Sequence, residues 1–517
     1  MPFKTIVRLL KRGIDGSCMD SKKQRKWIQW MLIIIIVGAI GVRLPFLDLY
    51  RFEHEMVRDI HHSERILQGE FLLRGVYGNV DEDSSQQSFG PLMYYMIAGS
   101  LLLAPSKYWY PLMPSILVMI LNLIAVWLCY RFGKEFFNEF VGLSAAALFA
   151  FSPWFVLHVS SYASNPNYLP PFIMAFVYFL AKVIVKREDK FLLPSFIALA
   201  LATQLHLSSL MLFPFLLATL LMWRRDLFKK KVFYKAIGIT ALLYIPYVLY
   251  IIKTNSWSSL FAFAAARYPS AFVTVFMESI GIPILYITPK LTPYLLGNVS
   301  VLPKFVNGVT TLMMIGVIVL GIFMIRNRNY EKRELLLLLW LIVPILFYVV
   351  IGKNVSPHFF IILLPVQFLI LAIALNKISE RYKKTTISVI VMIIISYLIF
   401  ILQFYAVIDE NGGTDSLFGV PYKYRVQVIQ EIAKETTTPT IIYYGDNKRN
   451  MNWLFSHFGI TPTYKYVQSL DEFKEGYLIF DEYDFYSYSD KAVSQEEKEK
   501  VKNEPGTTIK HIKVLRR

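Results

Sequence analysis

Residues 27–46 read WIQWMLIIIIVGAIGVRLPF, and residues 52–70 read FEHEMVRDIHHSERILQGE. The first stretch is almost unbroken apolar sequence of the length that crosses a bilayer core, about 20 residues. The second crowds acids, arginines and three histidines directly behind it. Together they predict a chain that crosses a membrane and then lays down a charged segment at the far surface. The apolar run has the basic flank of a signal peptide, but it is long enough to span and has no clear small-residue cleavage site, so it reads as an uncleaved anchor.

Similar apolar runs recur to about residue 405. Over its 517 residues the chain is 55% hydrophobic, 15% aromatic and only 18% charged, where soluble domains carry closer to a quarter charged. The fold class is therefore a polytopic α-helical membrane protein. In a soluble protein a net charge of +17 would suggest a nucleic-acid partner. Here the basic residues sit in short loops between apolar runs: Lys22, Lys23, Arg25 and Lys26; Lys186, Arg187 and Lys190; Arg224, Arg225 and Lys229–Lys231; Arg326, Arg328, Lys332 and Arg333; Arg381, Lys383 and Lys384. Cytoplasmic loops collect Lys and Arg in this way, so the charge reads as topology and no nucleic-acid partner is expected. Cys18 and Cys129 are the only cysteines, too few and too far apart for a disulfide framework.

Placing the basic loops in the cytoplasm gives about eleven crossings, with a cytoplasmic N-terminus at 1–26 and a transmembrane domain at 27–405. Span 1 covers 27–46 and span 2 109–131. The first external loop runs over 47–108, its segment 91–104 being too short to cross. Spans 3 and 4 bracket SSYASNPN at 160–167, and spans 5 and 6 share 191–223, bending near QLHLSS at 204–209. Span 7 (232–252), span 8 (302–325) and spans 9 to 11 (334–351, 359–376, 385–405) follow. Residues 406–517 differ in character. PTIIYYGD and GYLIFDEYDF are β-rich, while YKYRVQVIQEIAKE and NMNWLFSHF have helical spacing, which predicts a small extracytoplasmic α/β domain.

On a helix starting near His54, Glu55, Arg58, Asp59 and His62 share one face, while Met56, Ile60, Leu67 and Phe71 form a stripe on another. Such a helix suits the membrane interface, apolar side down. The same pattern also fits a merely solvated helix with Glu–Arg pairs. Other external positions add candidates. Gln204 and His206 interrupt a nearly apolar run, where polar groups are costly and suggest function, although His206 also reads as a helix-end histidine. Asn165 and Asn167 flank Pro166 and equally suit turn chemistry. Arg267 lies in the long outer loop, and Lys353 and His358 lie between spans 9 and 10. Carboxylates in one part and cations in another suit glycosyl transfer from a lipid phosphate. A carboxylate takes the proton of an acceptor hydroxyl, and cations or histidine stabilise the departing phosphate. The sequence contains no nucleotide-binding fingerprint.

Five stretches in order, FEHEMVRDI…ILQG, FGPLMYYMIAG, FSPWFVLHVSSYASNPNYLPPF, LATQLHLSSL and PHFFIILLPVQFLILA, resemble bacterial GT-C membrane glycosyltransferases of the family 39 type. That family is related to protein O-mannosyltransferases and to the lipid A aminoarabinose transferase. The resemblance covers about 27–405, and GGTDSLFGVPYKYR at 412–425 is similar to one bacterial branch. It implies a GT-C fold, a polyprenyl-phosphate sugar donor and inverting transfer to an envelope glycan, lipid or protein acceptor on the external face, among membrane lipids. The family's catalytic Asp stands in a pattern like Asp-Gln-x-Arg-Asp, which aligns with Glu55, Arg58 and Asp59 here. Glu is one methylene longer and Met56 replaces a polar residue, so Glu55 is the expected base, with Asp59 or Glu53 as alternatives. Where some relatives carry a charged contact to phosphate or metal, Ser88, Phe89 and Gly90 stand here. Phosphate binding is then expected from Arg58, His62, Arg267, Lys353, His206 and His358, and a divalent metal remains open. The alternative classes are a lipid or solute transporter or flippase, and a non-catalytic envelope-assembly protein.

Overall fold

The computed structural model describes residues 21–76, 90–255, 257, 330–351, 356–414, 418–444, 449–467, 470–481, 500–501, 503–510 and 512–516. Arg267, Lys353 and expected span 8 lie outside the described residues. Helix α1 (Ser21–Gly41) leads to α2 (His54–Leu67), the short apolar α3 (Leu92–Leu101), α4 (Met113–Phe136) and α5 (Glu139–Phe151). After them come α6 (Leu169–Val185), α7 (Leu192–Leu205), α8 (Leu212–Trp223), α9 (Lys231–Leu243), α10 (Ile245–Thr254), α11 (Lys332–Ile351) and α12 (Leu364–Asn411).

Among the described residues five stretches are long and apolar enough to cross a membrane: Lys26–Leu49, Tyr110–Phe136, Asn165–Val185, Lys332–Val350 and Pro357–Asn411. The pair α9–α10, bent by 51°, would be a sixth. Such apolar helices, packed on one another, make the chain an integral membrane protein. Expected spans 10 and 11 fall within one long helical stretch that breaks at Tyr382 (φ −129°, ψ 51°). Expected spans 3, 5 and 6 fall on shorter helices, because α5 passes into a π-helical turn at Phe155–Val159 and α7 ends at His206.

Local chemistry sets these boundaries. Asn138 caps α5 by accepting from Val141 N at 2.9 Å, which satisfies one of the open donors of a helix start. Gly133 and Gly142 let α4 and α5 touch, since a Cβ on Gly133 would lie 2.7 Å from the Gly142 Cα. Pro246 follows the α9–α10 break and supplies no amide to the helix. One end of the bundle gathers ion pairs of the basic loops. Glu135 pairs with Lys182 at 3.0 Å, Lys230 lies 2.8 Å from Asp189, and Arg224 also pairs with Asp189.

At the opposite end, Arg43 is 2% exposed. It donates to Ala39 O and Ala150 O, both at 2.8 Å. These carbonyls close the last turns of α1 and α5, so the guanidinium lies against the negative ends of two helix dipoles.

The remaining elements are α13 (Tyr422–Ala433), β1 (Thr440–Tyr444), α14 (Arg449–His457), β2 (Thr463–Val467), β3 (Tyr477–Asp481), β4 (Thr507–Ile509) and β5 (Ile512–Arg516). The sheet order is β2-β1-β3-β5-β4. β1 runs parallel to β2 and β3, and β5 runs antiparallel to β3 and β4. Ile442, Leu478 and Leu515 form a small core with Phe473 and Val501. Ile441, Ile479 and Val514 join the main core, so both faces of the sheet are covered.

Candidate functional site

The chain leaves α1 through a 3₁₀ turn at Leu44–Leu49 and runs extended before α2 begins at His54. The apolar side of α2 is buried in protein: Met56 is 1% and Ile60 0% exposed, within the core shared with α3. This corrects part of the expected stripe. Leu67 ends the helix, Phe71 lies beyond it, and both are exposed. The stripe divides because α3 covers its first half.

The polar face divides in the same way. Glu55 is exposed, Arg58 and His62 are half-buried, and Asp59 is buried. Arg58 Nε donates to Asp59 Oδ1 at 2.9 Å. Two residues before Glu55, Glu53 pairs with Arg51 and accepts from Tyr162 Oη at 2.8 Å. The Arg51 guanidinium lies 5.0 Å over the Tyr162 ring. Burial pushes Glu53 up to about 7, with Arg51 opposing and the Glu55 charge adding. Burial likewise pushes Asp59 up to about 7, against Arg58 and with Glu55. Glu55 is thus the exposed carboxylate between the half-buried Glu53 and the buried Asp59, each committed to its own arginine. His62 is pushed down to about 4 by burial and the nearby cations, which leaves it neutral at ambient pH. Its ring stands 5.1 Å from Tyr94.

The other candidates fall into two groups. His206 and His358 come together with rings 5.6 Å apart, each with Nδ1 held 2.8 Å from a serine hydroxyl, Ser208 and Ser356 respectively. Arg51 and His358 both lie within electrostatic reach of His158, whose ring packs 4.3 Å from Trp154. Gln204 and Asn167 engage backbone instead. Gln204 Nε2 donates to Leu243 O at 3.1 Å, at the α9–α10 break. Asn167 Nδ2 donates to His158 O at 2.9 Å and Tyr162 O at 2.8 Å, fixing the turn that presents Tyr162. Asn165 opens the 3₁₀ turn of that segment.

Arg51, Tyr162 and His158 are site residues that the sequence reading does not single out. The turn SSYASNPN drew attention to its asparagines, but the tyrosine within it carries the contact to Glu53. Arg51 had a signal: it stands two residues from an acid on an extended segment. Among the described residues no group of three or more His, Cys, Asp or Glu side chains could hold a metal ion. Of the three carboxylates, Glu53 and Asp59 are held by Arg51 and Arg58.

Residues 88–251 match the family of dolichyl-phosphate-mannose-protein mannosyltransferases. The fold is similar to that of ArnT from Cupriavidus metallidurans bound to undecaprenyl phosphate, with TM-score 0.56 and 11% identity, over 93% of this chain and 97% of that one. ArnT in the apo state gives TM-score 0.54 and 11% identity, over 87% and 92%. The apo oligosaccharyltransferase of Archaeoglobus fulgidus gives TM-score 0.50 and 11% identity, over 89% and 70%. A search of curated proteins finds no match. At these identities the structural likeness establishes the fold.

Proposed function

From the premise that this chain is a GT-C family protein related to the protein mannosyltransferases and to the lipid A aminoarabinose transferase, we propose that it moves one sugar from a polyprenyl phosphate to a cell-envelope acceptor. The transfer takes place at the extracytoplasmic surface, and the donor phosphate stays in the membrane. The proposed topology keeps about eleven crossings, with the N-terminus cytoplasmic and the C-terminal α/β domain outside.

The observation that carries the reading is the exposed Glu55 at the start of α2, flanked by the largely shielded pairs Arg51–Glu53 and Arg58–Asp59. Both flanking carboxylates are occupied, so Glu55 is the one of the three open to a substrate hydroxyl. Glu55 takes the acceptor proton as the hydroxyl oxygen attacks the anomeric carbon. The bond from that carbon to the phosphate oxygen breaks on the opposite face, its electron pair passes to the phosphate, and the sugar's configuration inverts. Developing negative charge on the phosphate is met by the cationic and imidazole groups of the same end, Arg51, Arg58, His206 and His358, with Arg267 and Lys353 as further proposed contributors. A preorganised donor of this kind is worth about 2.7–4 kcal/mol when removed singly in well-studied enzymes.

The test is single-turnover transfer by the purified full-length protein from a panel of polyprenyl-phosphate monosaccharides to envelope acceptor. Release of polyprenyl phosphate coupled to sugar transfer from one donor supports the proposal. Absence of transfer and of donor hydrolysis with every donor, in folded protein, overturns it.

A further inference from the structure

The N-terminus of α2 has no side-chain cap, because the Glu53 side chain that would serve is taken by Arg51 and Tyr162. A helix start without a cap is locally weakened, yet this one positions the face assigned to catalysis. Its support comes from the far end of the chain. Pro421 forms an antiparallel bridge with Arg51, and Tyr422 N donates to Tyr50 O at 3.2 Å. The Tyr422 ring packs 5.8 Å from Tyr50, 5.5 Å from Phe52 and 5.5 Å from Tyr108, and its hydroxyl donates to Tyr108 O at 2.8 Å. Tyr50, Phe52 and Tyr422 are all buried. Trp453 of α14 packs its ring 6.4 Å from Phe52, directly before α2, and lies within electrostatic reach of Glu64 farther along the helix.

The segment bearing Pro421 is itself pinned. Gly413 has φ +127°, and a Cβ there would lie 2.3 Å from Gly419 O, so the turn admits only glycine. Thr414 N donates to Gly419 O at 3.2 Å, and Tyr424 Oη donates to Asp409 Oδ1 at 2.7 Å.

We propose that Pro421–Tyr422 is a clamp through which the C-terminal α/β unit positions the Arg51–Glu53–Glu55 segment, with Tyr422 as a positioning residue for the transfer reaction. The clamp rests on the function proposed above for its catalytic consequence, but the backbone geometry on which it acts does not. The unit then contributes to turnover even when the acceptor is saturating, which an acceptor-binding module alone does not do. Misplacing a reacting group by about 1 Å costs about a hundredfold in rate.

The experiment compares Tyr422→Ala and Tyr422→Phe in the full chain, reading amide hydrogen exchange over residues 47–60 and, separately, kcat and acceptor KM. Tyr422→Ala is expected to speed exchange across 50–58 and lower kcat about ten- to a hundredfold, with acceptor KM within about twofold. Tyr422→Phe, which keeps the ring and the backbone bridge, restores both. If Tyr422→Ala does not fold, Trp453→Leu, which removes the second contact on α2, takes its place with the same expectations for residues 54–66. Unchanged exchange in a folded variant overturns the clamp, as does a change confined to acceptor KM. If the wild type transfers no sugar, the function proposed above falls and exchange alone decides the clamp.

Discussion

Tyr162→Phe tests the wiring of the site through a single oxygen atom. The phenol donates to Glu53 Oε2 at 2.8 Å, and it opposes the burial that pushes this carboxyl up to about 7. A hydrogen bond to a charged group contributes about 1.5–3 kcal/mol net, and one pKa unit corresponds to about 1.4 kcal/mol. Removing the hydroxyl therefore raises Glu53 by about 1–2 further units. Near pH 7.5 the carboxyl then changes from mostly ionised to mostly protonated, and Arg51 loses its counter-charge. The assay is an infrared titration of the protonated-carboxyl band, assigned by its loss in Glu53→Gln, and its midpoint should move upward. A folded Tyr162→Phe protein whose carboxyl midpoint matches wild type refutes the reasoning.

Other consequences are equally direct. Glu53 rises from 4.5 and Asp59 from 3.8, each to about 7, so the folded state binds their protons more tightly than the unfolded state. Their contribution to stability is fully present below about pH 4 and lost as pH rises through about 7. The unfolding midpoint in detergent should fall between about pH 5 and 8, and less steeply in Glu53→Gln and Asp59→Asn. Arg43→Ala strands the carbonyls of Ala39 and Ala150, at about 1–3 kcal/mol each, so its thermal midpoint should drop clearly; one equal to wild type would contradict the double-cap reading. Gly90→Ala places a Cβ 2.6 Å from Gln204 Cγ and should cost about 1–3 kcal/mol, with loss of the Gln204–Leu243 bond visible as faster amide exchange at the α9–α10 break.

Much of the architecture was readable because apolar length and helical period are local properties. The run at 27–46 and the start of α2 at His54 both follow from residues a few positions apart. The division of α2 did not follow, because it depends on α3, which arrives some turns later and covers Met56 and Ile60 but not Leu67. The site partners were hidden for a similar reason. Glu53 meets Tyr162, and Arg43 meets Ala150, across more than a hundred residues, and no periodicity encodes such a contact. Arg51 faces Pro421 across an even longer separation. Gln204, a polar residue in an apolar run, donates to the carbonyl of Leu243 at a bent helix, a partner 39 residues away that the local sequence does not display.

In the proposed reaction Glu55 carries the proton transfer while Glu53 and Asp59 hold the scaffold. The deciding experiment is the single-turnover rate of sugar transfer in Glu55→Gln, with donor binding measured on the same protein. A loss of about 10²–10⁴-fold in rate with donor affinity retained is expected. A Glu55→Gln protein that transfers sugar at the wild-type rate would show that another group takes the proton.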